Sequence, residues 1–121
     1  MAHILIVDDS PTELHVMKGW LEKHGFTVST ADSGEDGIER ARQNKPDLVL
    51  MDVVMPGLNG FQATRQLTRD PVTGDIPVVI ISTKHQDTDR LWGLRQGAKE
   101  YLAKPVTEQG LVNTINRVLQ A

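Results

Sequence analysis

Three aspartates directly follow two apolar segments of the chain. Asp8 and Asp9 come after Ile4–Val7, and Asp52 comes after Leu48–Met51. If these segments are neighbouring strands, the three carboxylates lie within range of mutual repulsion, because paired strands are about 4.8 Å apart. Crowded acids do not all ionise comfortably without a cation, and Mg²⁺ prefers oxygen ligands of this kind. The spacing therefore predicts a magnesium site.

A hydroxyl pair and a lysine follow two later apolar segments. Ser82 and Thr83 come after Val78–Ile81, and Lys104 follows a weaker segment and precedes a proline. A lysine ammonium binds phosphate oxygens as a point charge, a hydroxyl donates a hydrogen bond, and a carboxylate can act as a nucleophile. Each residue alone is common at a helix N-cap or on a solvated surface. Their joint occurrence predicts the handling of a phosphoryl group on Asp52.

Five short apolar segments are typical of β-strands. Three are continuous runs of β-branched residues and leucine, as in strands that are buried on both faces of a parallel sheet. The second segment alternates more, so we expect it at an edge of the sheet. The predicted strands are Ile4–Val7, Thr27–Ala31, Leu48–Met51, Val78–Ile81 and Tyr101–Ala103.

Segments of helical period separate these strands. Leu14, Met17 and Leu21 share one helical face, and the clearest apolar stripe comes last, at Leu111, Ile115, Val118 and Leu119. The alternation of strand and helix predicts one α/β domain with a five-stranded parallel sheet. Right-handed crossovers place the carboxyl ends of all strands at one edge, which is where ligands bind in such sheets.

Local sequence patterns predict where the helices end and whether the two tryptophans are buried. Ser10–Glu13 has the pattern of a capping box with proline at the first helical position. Gly25 and Gly97 stand where helices should end in a left-handed residue. We expect Trp20 to be a packing residue, and Trp92 to cover the core rather than to face a partner.

The composition favours one soluble domain over residues 1–121. Of the 121 residues, 39% are hydrophobic and 24% are charged, which suits a core that needs no disulfide or structural metal. The net charge of −3 and the absence of cysteine argue against nucleic-acid binding and thiol chemistry. Neither a signal peptide nor a membrane-spanning run is present. We therefore expect a cytoplasmic protein with no output domain and no membrane insertion.

Four motifs together resemble those of a known family. The chain resembles a response-regulator receiver domain over residues 3–119, and the motifs that carry the resemblance are Ile4–Ser10, Leu48–Gly57 with Gly60, Ile80–Thr83 and Lys104–Pro105. The resemblance implies a flavodoxin-like fold, a doubly wound sheet with strand order 2-1-3-4-5. It also implies a phosphoacceptor signalling protein, not an enzyme with a separate turnover substrate.

The resemblance further implies the roles of the acidic residues. Asp52 would accept a phosphoryl group from a histidine of a sensor kinase. Asp9 would bind Mg²⁺ directly, Asp8 would act largely through water, and Asp52 itself would be a ligand. The backbone carbonyl of Val54 would complete the protein's share of the coordination.

The same resemblance assigns the phosphate-binding and switch residues. Ser82 and Lys104 would bind phosphoryl oxygens, and the Lys104–Pro105 peptide bond would be cis. Tyr101 would swing inward when the hydroxyl residue moves towards the phosphate. Thr83 departs from the small residue that is usual at its position, so its bulk could slow phosphate access or alter the switch.

A narrower resemblance points to partners. Three segments are similar to the stand-alone PilH-type regulators of type IV pilus twitching motility: Met55–Thr68, Trp92–Gly93 and Arg95–Ala98. This resemblance implies that the partner is a histidine kinase of a chemotaxis-like system. We expect the protein itself to be a monomer or a weak dimer. A downstream target would bind the face of helix 4, strand 5 and helix 5, around Thr83–Gln96, Tyr101 and the last helix.

The same residues argue against other functions of this fold. Asp8 and Asp9 would repel the phosphate of an FMN cofactor. Val54 stands where a phosphatase with a nucleophilic aspartate needs a second acid. A transcription factor would need a further domain or a basic surface. Two alternatives stay open: a phosphate sink that drains a shared kinase, and a scaffold that is never phosphorylated.

Overall fold

The computed structural model describes residues 1–121 as five strands that alternate with five helices. The strands are β1 (His3–Val7), β2 (Thr27–Ala31), β3 (Leu48–Asp52), β4 (Val78–Ser82) and β5 (Glu100–Ala103). The helices are α1 (Pro11–Lys23), α2 (Gly34–Asn44), α3 (Gly60–Arg69), α4 (Asp87–Arg95) and α5 (Glu108–Gln120). None of the helices has the length and apolar character that crossing a membrane requires.

The five strands form one parallel sheet in the order β2-β1-β3-β4-β5, which confirms the predicted topology. β3 is central and pairs with β1 and β4, while the alternating strand β2 lies at an edge as expected. Val7 pairs with Met51, and Asp52 pairs with Ile81. The residues that follow β1 therefore emerge beside the end of β3.

Alternate residues of the central strand enter two separate hydrophobic layers. Val49 and Met51 pack with residues of α2 and α3, and Leu48 and Leu50 pack with residues of α1 and α5. Every residue of β3 and β4 is buried, which explains their continuous apolar runs. Trp20 packs against the second layer, as predicted. Packing on both faces holds the carboxyl edge of the sheet in place.

The predicted capping box at the start of α1 is only half formed. Ser10 Oγ accepts a hydrogen bond from the backbone N–H of Glu13 at 3.3 Å. The bond is not returned by Glu13, because the backbone N–H of Ser10 donates to Oδ1 of Asp8 at 2.9 Å. A complete box forms at α3, between Asn59 and Gln62.

Two glycines follow helices in the left-handed region, as predicted. Gly25 follows α1 with a φ of 91°, and Gly97 follows α4 with a φ of 108°. Side chains are disfavoured in this region because Cβ crowds the backbone, so glycine suits both positions.

The packing of α4 differs from expectation. Gly93 is the one buried residue of the helix, whereas Leu91 and Trp92 are 52% and 50% exposed. The prediction that Trp92 covers the core is therefore wrong. The helix meets the sheet through the backbone at Gly93, which leaves much of the neighbouring Trp92 side chain in solvent.

Candidate functional site

Three carboxylates meet at the carboxyl edge of the sheet. Asp8 and Asp9 follow β1, Asp52 ends β3, and one oxygen from each lies within 4.8 Å of the others. Asp8 and Asp52 are buried, while Asp9 is exposed. The predicted acidic cluster is therefore present, with its open side at Asp9.

Lys104 joins the two buried acids. Its Nζ lies 3.0 Å from Oδ2 of Asp8 and 3.4 Å from Oδ1 of Asp52, and only 11% of its side chain is exposed. The residue follows β5, two strands away from β3, so the fold brings it across β4 to the acids. Its peptide bond to Pro105 is cis, as predicted.

Glu13 also lies near this lysine, and the sequence analysis did not select it. Its Oε2 is 4.0 Å from Nζ of Lys104, and nearly half of its side chain is exposed. Glu13 lies four residues after Asp9, near the start of α1, so its position in the first helical turn was the available signal. In sequence alone, an acid in that turn has a sufficient explanation in helix capping.

Burial makes Asp52 the unusual acid of the cluster. Its pKa rises from 3.8 to about 6, chiefly because burial disfavours the charged carboxylate and next because Asp8 repels it. The charge of Lys104 and the backbone N–H of Val53, which donates to Oδ1 at 2.9 Å, limit the rise in pKa. At neutral pH the carboxylate is therefore mostly ionised and available as a nucleophile.

For the ammonium group of Lys104, nearby negative charges outweigh the effect of burial on the pKa. Burial acts to lower its pKa, but the hydrogen bond to Asp8 and the charges of Asp52, Asp8 and Glu13 outweigh burial and raise the pKa above its usual value. Lys104 therefore keeps its positive charge between the two buried carboxylates throughout the physiological range.

The donor set suits a hard divalent cation. Three carboxylates that converge within 4.8 Å carry more negative charge than one lysine neutralises. Mg²⁺ is typically bound by one or two carboxylates together with waters and a phosphate oxygen. Asp8, Asp9 and Asp52 are thus able to hold it. Participation of the backbone carbonyl of Val54 stays a prediction.

The loop after β3 brings the backbone close to Asp52. The backbone N–H of Gly60 donates to the carbonyl of Val53 at 3.0 Å, which folds the start of α3 against the strand end. A Cβ at Gly60 would overlap the backbone carbonyl of Asp52. Glycine at this position is therefore a steric requirement for placing the acidic residue.

The two hydroxyl residues have different surroundings. Ser82 ends β4 and is fully buried, and its Oγ accepts a hydrogen bond from the backbone N–H of Lys84 at 3.0 Å. Thr83 is exposed directly after the strand. Ser82 lies on the strand next to β3, at the same edge as Asp52, while the predicted effect of Thr83 on phosphate access stays a prediction.

The ring of Tyr101 already points inward in this structure, whereas the resemblance implied an inward movement only when the hydroxyl residue moves towards a phosphate. Its ring is buried in the first core layer, and its hydroxyl donates to the backbone carbonyl of Lys84. Burial raises the pKa of this phenol above its usual value. Arg90 of α4 donates from Nη1 to the backbone carbonyl of Tyr101 at 3.0 Å, a contact that the sequence did not indicate. The swing of the ring stays a prediction.

Comparisons with known proteins agree with this geometry. The model of the response regulator receiver domain family matches residues 4–116. Protein PilH of Pseudomonas aeruginosa is 64% identical over 119 residues, which are 98% of each chain.

Two solved structures share the fold. A response regulator of Chloroflexus aurantiacus superposes with a TM-score of 0.94 at 30% identity, over 99% of this chain and 98% of that one. The chemotaxis protein CheY4 of Vibrio cholerae superposes with a TM-score of 0.92 at 28% identity, over 98% of both chains. By sequence motif and by tertiary structure alike, this chain belongs to the response regulator receiver domain family.

Proposed function

We propose that this protein is a single-domain response regulator that accepts a phosphoryl group on Asp52 from a histidine kinase. One observation carries the proposal: Lys104 lies between Asp8 and Asp52, 3.0 and 3.4 Å from their carboxylate oxygens. The Lys104 ammonium at this place can neutralise the Asp52 carboxylate before the transfer and a phosphoryl oxygen after it. Membership of the receiver family supports a kinase partner and a downstream target in general.

The chemistry is a transfer of a phosphoryl group between two nucleophiles. An oxygen of the Asp52 carboxylate attacks phosphorus and forms an O–P bond, while the N–P bond of a phosphohistidine breaks and its electron pair returns to the imidazole nitrogen. Such transfers depend chiefly on positioning and on neutralising the equatorial oxygens. Lys104 is placed to neutralise one of these oxygens, and Ser82 supplies a hydroxyl donor nearby.

The acidic cluster has a part in the same reaction. Asp8, Asp9, Asp52 and the carbonyl of Val54 would hold Mg²⁺, which when bound supplies positive charge to the phosphoryl oxygens. Without a bound cation, the net negative charge of Asp8, Asp9 and Asp52 would repel an anionic phosphodonor.

We further propose how phosphorylation is transmitted. A phosphoryl group on Asp52 would attract the hydroxyl of Ser82, and movement of that residue would shift the loop whose Lys84 carbonyl holds Tyr101. The ring connects this loop to α4, where Leu91 and Trp92 are half exposed. A local change of charge would thereby alter the surface of α4, β5 and α5 that a target reads.

The similarity to Protein PilH of Pseudomonas aeruginosa supports a proposal for the biological role. We propose that this chain acts in the cytoplasm in control of type IV pilus twitching motility, with a kinase of a chemotaxis-like system. Complementation of a twitching defect in a strain that lacks PilH tests this role. Restoration by the wild type but not by Asp52→Asn is expected, and failure of both would contradict the pilus assignment.

The site itself is tested by intact-protein mass spectrometry after incubation with acetyl phosphate and Mg²⁺. Wild type and the control Asp75→Asn, which removes an exposed carboxylate outside the site, should gain the mass of one phosphoryl group. Asp52→Asn, or wild type with EDTA, should gain nothing. Absence of labelling in wild type, under conditions that label another receiver domain, would favour the scaffold alternative.

A second assay separates direct signalling from a phosphate sink. The protein is added to a phosphorylated chemotaxis-type kinase, and phosphate on the kinase histidine and on the target-bound regulator is followed over time. Direct output predicts tighter target binding by the phosphorylated wild type, and loss of that gain in Tyr101→Ala. A sink predicts that kinase phosphate drains away with no change in target binding.

A further inference from the structure

Gly93 lies where α4 meets the ring of Tyr101. It is the one buried residue of the helix, and a Cβ built on it would lie 2.8 Å from Cδ2 and 3.0 Å from Cε2 of that ring. The same Cβ would lie 3.0 Å from Cδ1 of Ile80. The 2.8 Å distance is shorter than carbon atoms tolerate and the other two are tighter than ordinary contacts, so a side chain at this position requires its neighbours to shift.

Two hydrogen bonds fix the surroundings of the ring. At one end, the Tyr101 hydroxyl donates to the backbone carbonyl of Lys84, in the loop before α4. At the other end, Arg90 donates from α4 to the backbone carbonyl of Tyr101 at 3.0 Å. The helix is therefore held to β5 on both sides of the contact. Ile80 lies against the same Cβ position, so a side chain at Gly93 would be crowded by Tyr101 and Ile80 together.

The helix itself gives no reason for glycine at this position. Glycine inside a helix is less favourable than alanine, so its presence needs a packing explanation. Gly19 in α1 provides a comparison, because nothing lies within 4 Å of the Cβ that could be built there. Alanine should thus be favourable at Gly19, and only the contact with Tyr101 and Ile80 should make it unfavourable at Gly93.

We propose that Gly93 is a positioning residue that admits the Tyr101 ring to its inward place, and that a side chain at Gly93 drives the ring into solvent. The contact between Gly93 and Tyr101 stands on geometry alone. Its consequence for signalling rests on the proposed function, because only there does the position of Tyr101 transmit the state of Asp52. Gly93 would then set the balance between the two positions of the ring.

The test uses the fact that Tyr101 is the single tyrosine of the chain. Full-length protein is labelled with 3-fluorotyrosine, so that one ¹⁹F resonance reports the ring. In wild type and in the control Gly19→Ala, the resonance should be that of a buried ring, with little change between H₂O and D₂O. In Gly93→Ala, it should move towards the position and the solvent isotope shift of the urea-unfolded chain. An unchanged resonance in folded Gly93→Ala would overturn the proposal.

A double-mutant cycle covers the case in which Gly93→Ala folds poorly. In a Tyr101→Ala background, the clash with the ring is absent and only the close approach to Ile80 remains, so Gly93→Ala should destabilise the protein much less than it does in the wild-type background. Equal destabilisation by Gly93→Ala in both backgrounds would overturn the proposal, because the clash would then lie elsewhere. Urea unfolding followed by circular dichroism provides the free energies.

The result is separable from the proposed function. Labelling of Asp52 by acetyl phosphate tests the acceptor site and does not depend on where the ring lies. If the ¹⁹F resonance shifts but Asp52 is never phosphorylated, Gly93 still positions Tyr101 while the proposed function fails. If Asp52 is phosphorylated and the resonance is unchanged in Gly93→Ala, the proposed function stands and the role of Gly93 fails.

Discussion

The ammonium group of Lys104 lies 3.4 Å from Oδ1 of Asp52, although the two residues are far apart in the chain and Lys104 follows β5, which does not pair with the strand of Asp52. Both side chains are mostly buried, and Asp8 shares the same lysine at 3.0 Å. One cation thus pairs with two buried acids and neutralises only part of their charge. This relationship makes the site sensitive to the loss of any of its charges.

Lys104→Met should destabilise the protein when no divalent cation is present. The substitution leaves two buried carboxylates without their counter-ion, and removal of one partner from such a group costs about 3 kcal/mol. Urea unfolding in EDTA measures the loss, and added Mg²⁺ should recover part of it. Lys99→Met, which removes an exposed lysine, is the control. Equal effects of the two substitutions would show that the buried acids do not depend on Lys104.

Asp52→Asn should stabilise the cation-free protein in a manner that depends on pH. The pKa of Asp52 is about 6 in the folded protein, whereas an ordinary aspartate has a pKa of 3.8. The folded protein therefore binds the proton of this carboxyl group more tightly than the unfolded chain does. Between these two values the folded wild type loses stability as pH rises, and the loss is complete above about pH 6. Asparagine carries no charge and avoids this loss.

The gain from Asp52→Asn should therefore be absent below about pH 4 and full at pH 8. Solvent at the open side of the site reduces the effect of the pKa shift to about 1–2 kcal/mol. Unfolding free energies in EDTA at several pH values measure the gain. Asp75→Asn, at an exposed position, should change stability little at any pH. A gain from Asp52→Asn that is the same at pH 4 and pH 8 would contradict the prediction.

Mg²⁺ should raise the thermal stability of the wild type, because a ligand that binds only the folded state stabilises it. At a concentration 100 times its dissociation constant, the gain is about 2.7 kcal/mol. Asp9→Asn should remove most of this gain while changing the stability in EDTA little, because Asp9 is the exposed member of the acidic cluster. Thermal unfolding over a Mg²⁺ titration tests this. A full gain in Asp9→Asn would place the cation elsewhere.

Gly60→Ala should destabilise the fold and impair phosphorylation of Asp52. The added Cβ would overlap the backbone carbonyl of Asp52, so either the start of α3 or the end of β3 must move. Overpacking of this kind costs about 2–3 kcal/mol. Gly19→Ala has free space and should be neutral or stabilising. Urea unfolding and labelling by acetyl phosphate measure both effects, and wild-type values in Gly60→Ala would refute the steric explanation.

The fold can be predicted from the sequence because the strands that are buried on both faces consist almost entirely of apolar residues. β3 and β4 are covered on both faces, and their uninterrupted apolar residues indicate this in the sequence. The edge strand β2 alternates because it is less buried. Parallel topology then assigns the residues after each strand to one edge, so Asp8, Asp9 and Asp52 could be grouped from their chain positions alone.

Contacts that depend on the direction of a side chain were not predictable. Glu13 is sufficiently explained in sequence as a helix-capping residue, and only the fold places its carboxylate 4.0 Å from Lys104. Trp92 was expected in the core, yet the packing of α4 through Gly93 leaves half of the indole exposed. The hydrogen bond from Arg90 to Tyr101 likewise joins two elements whose relative placement is not encoded locally.

The order of the elements, the parallel sheet and the set of residues at its carboxyl edge can be inferred from the amino-acid sequence. These features depend on periodicity and on burial, both of which are visible in the residues of each segment. The pairing of Lys104 with the acids, the depth at which Asp52 is buried and the packing at Gly93 are visible only in the folded protein. Those properties arise from distances between segments that are remote in the chain, and no single segment contains them.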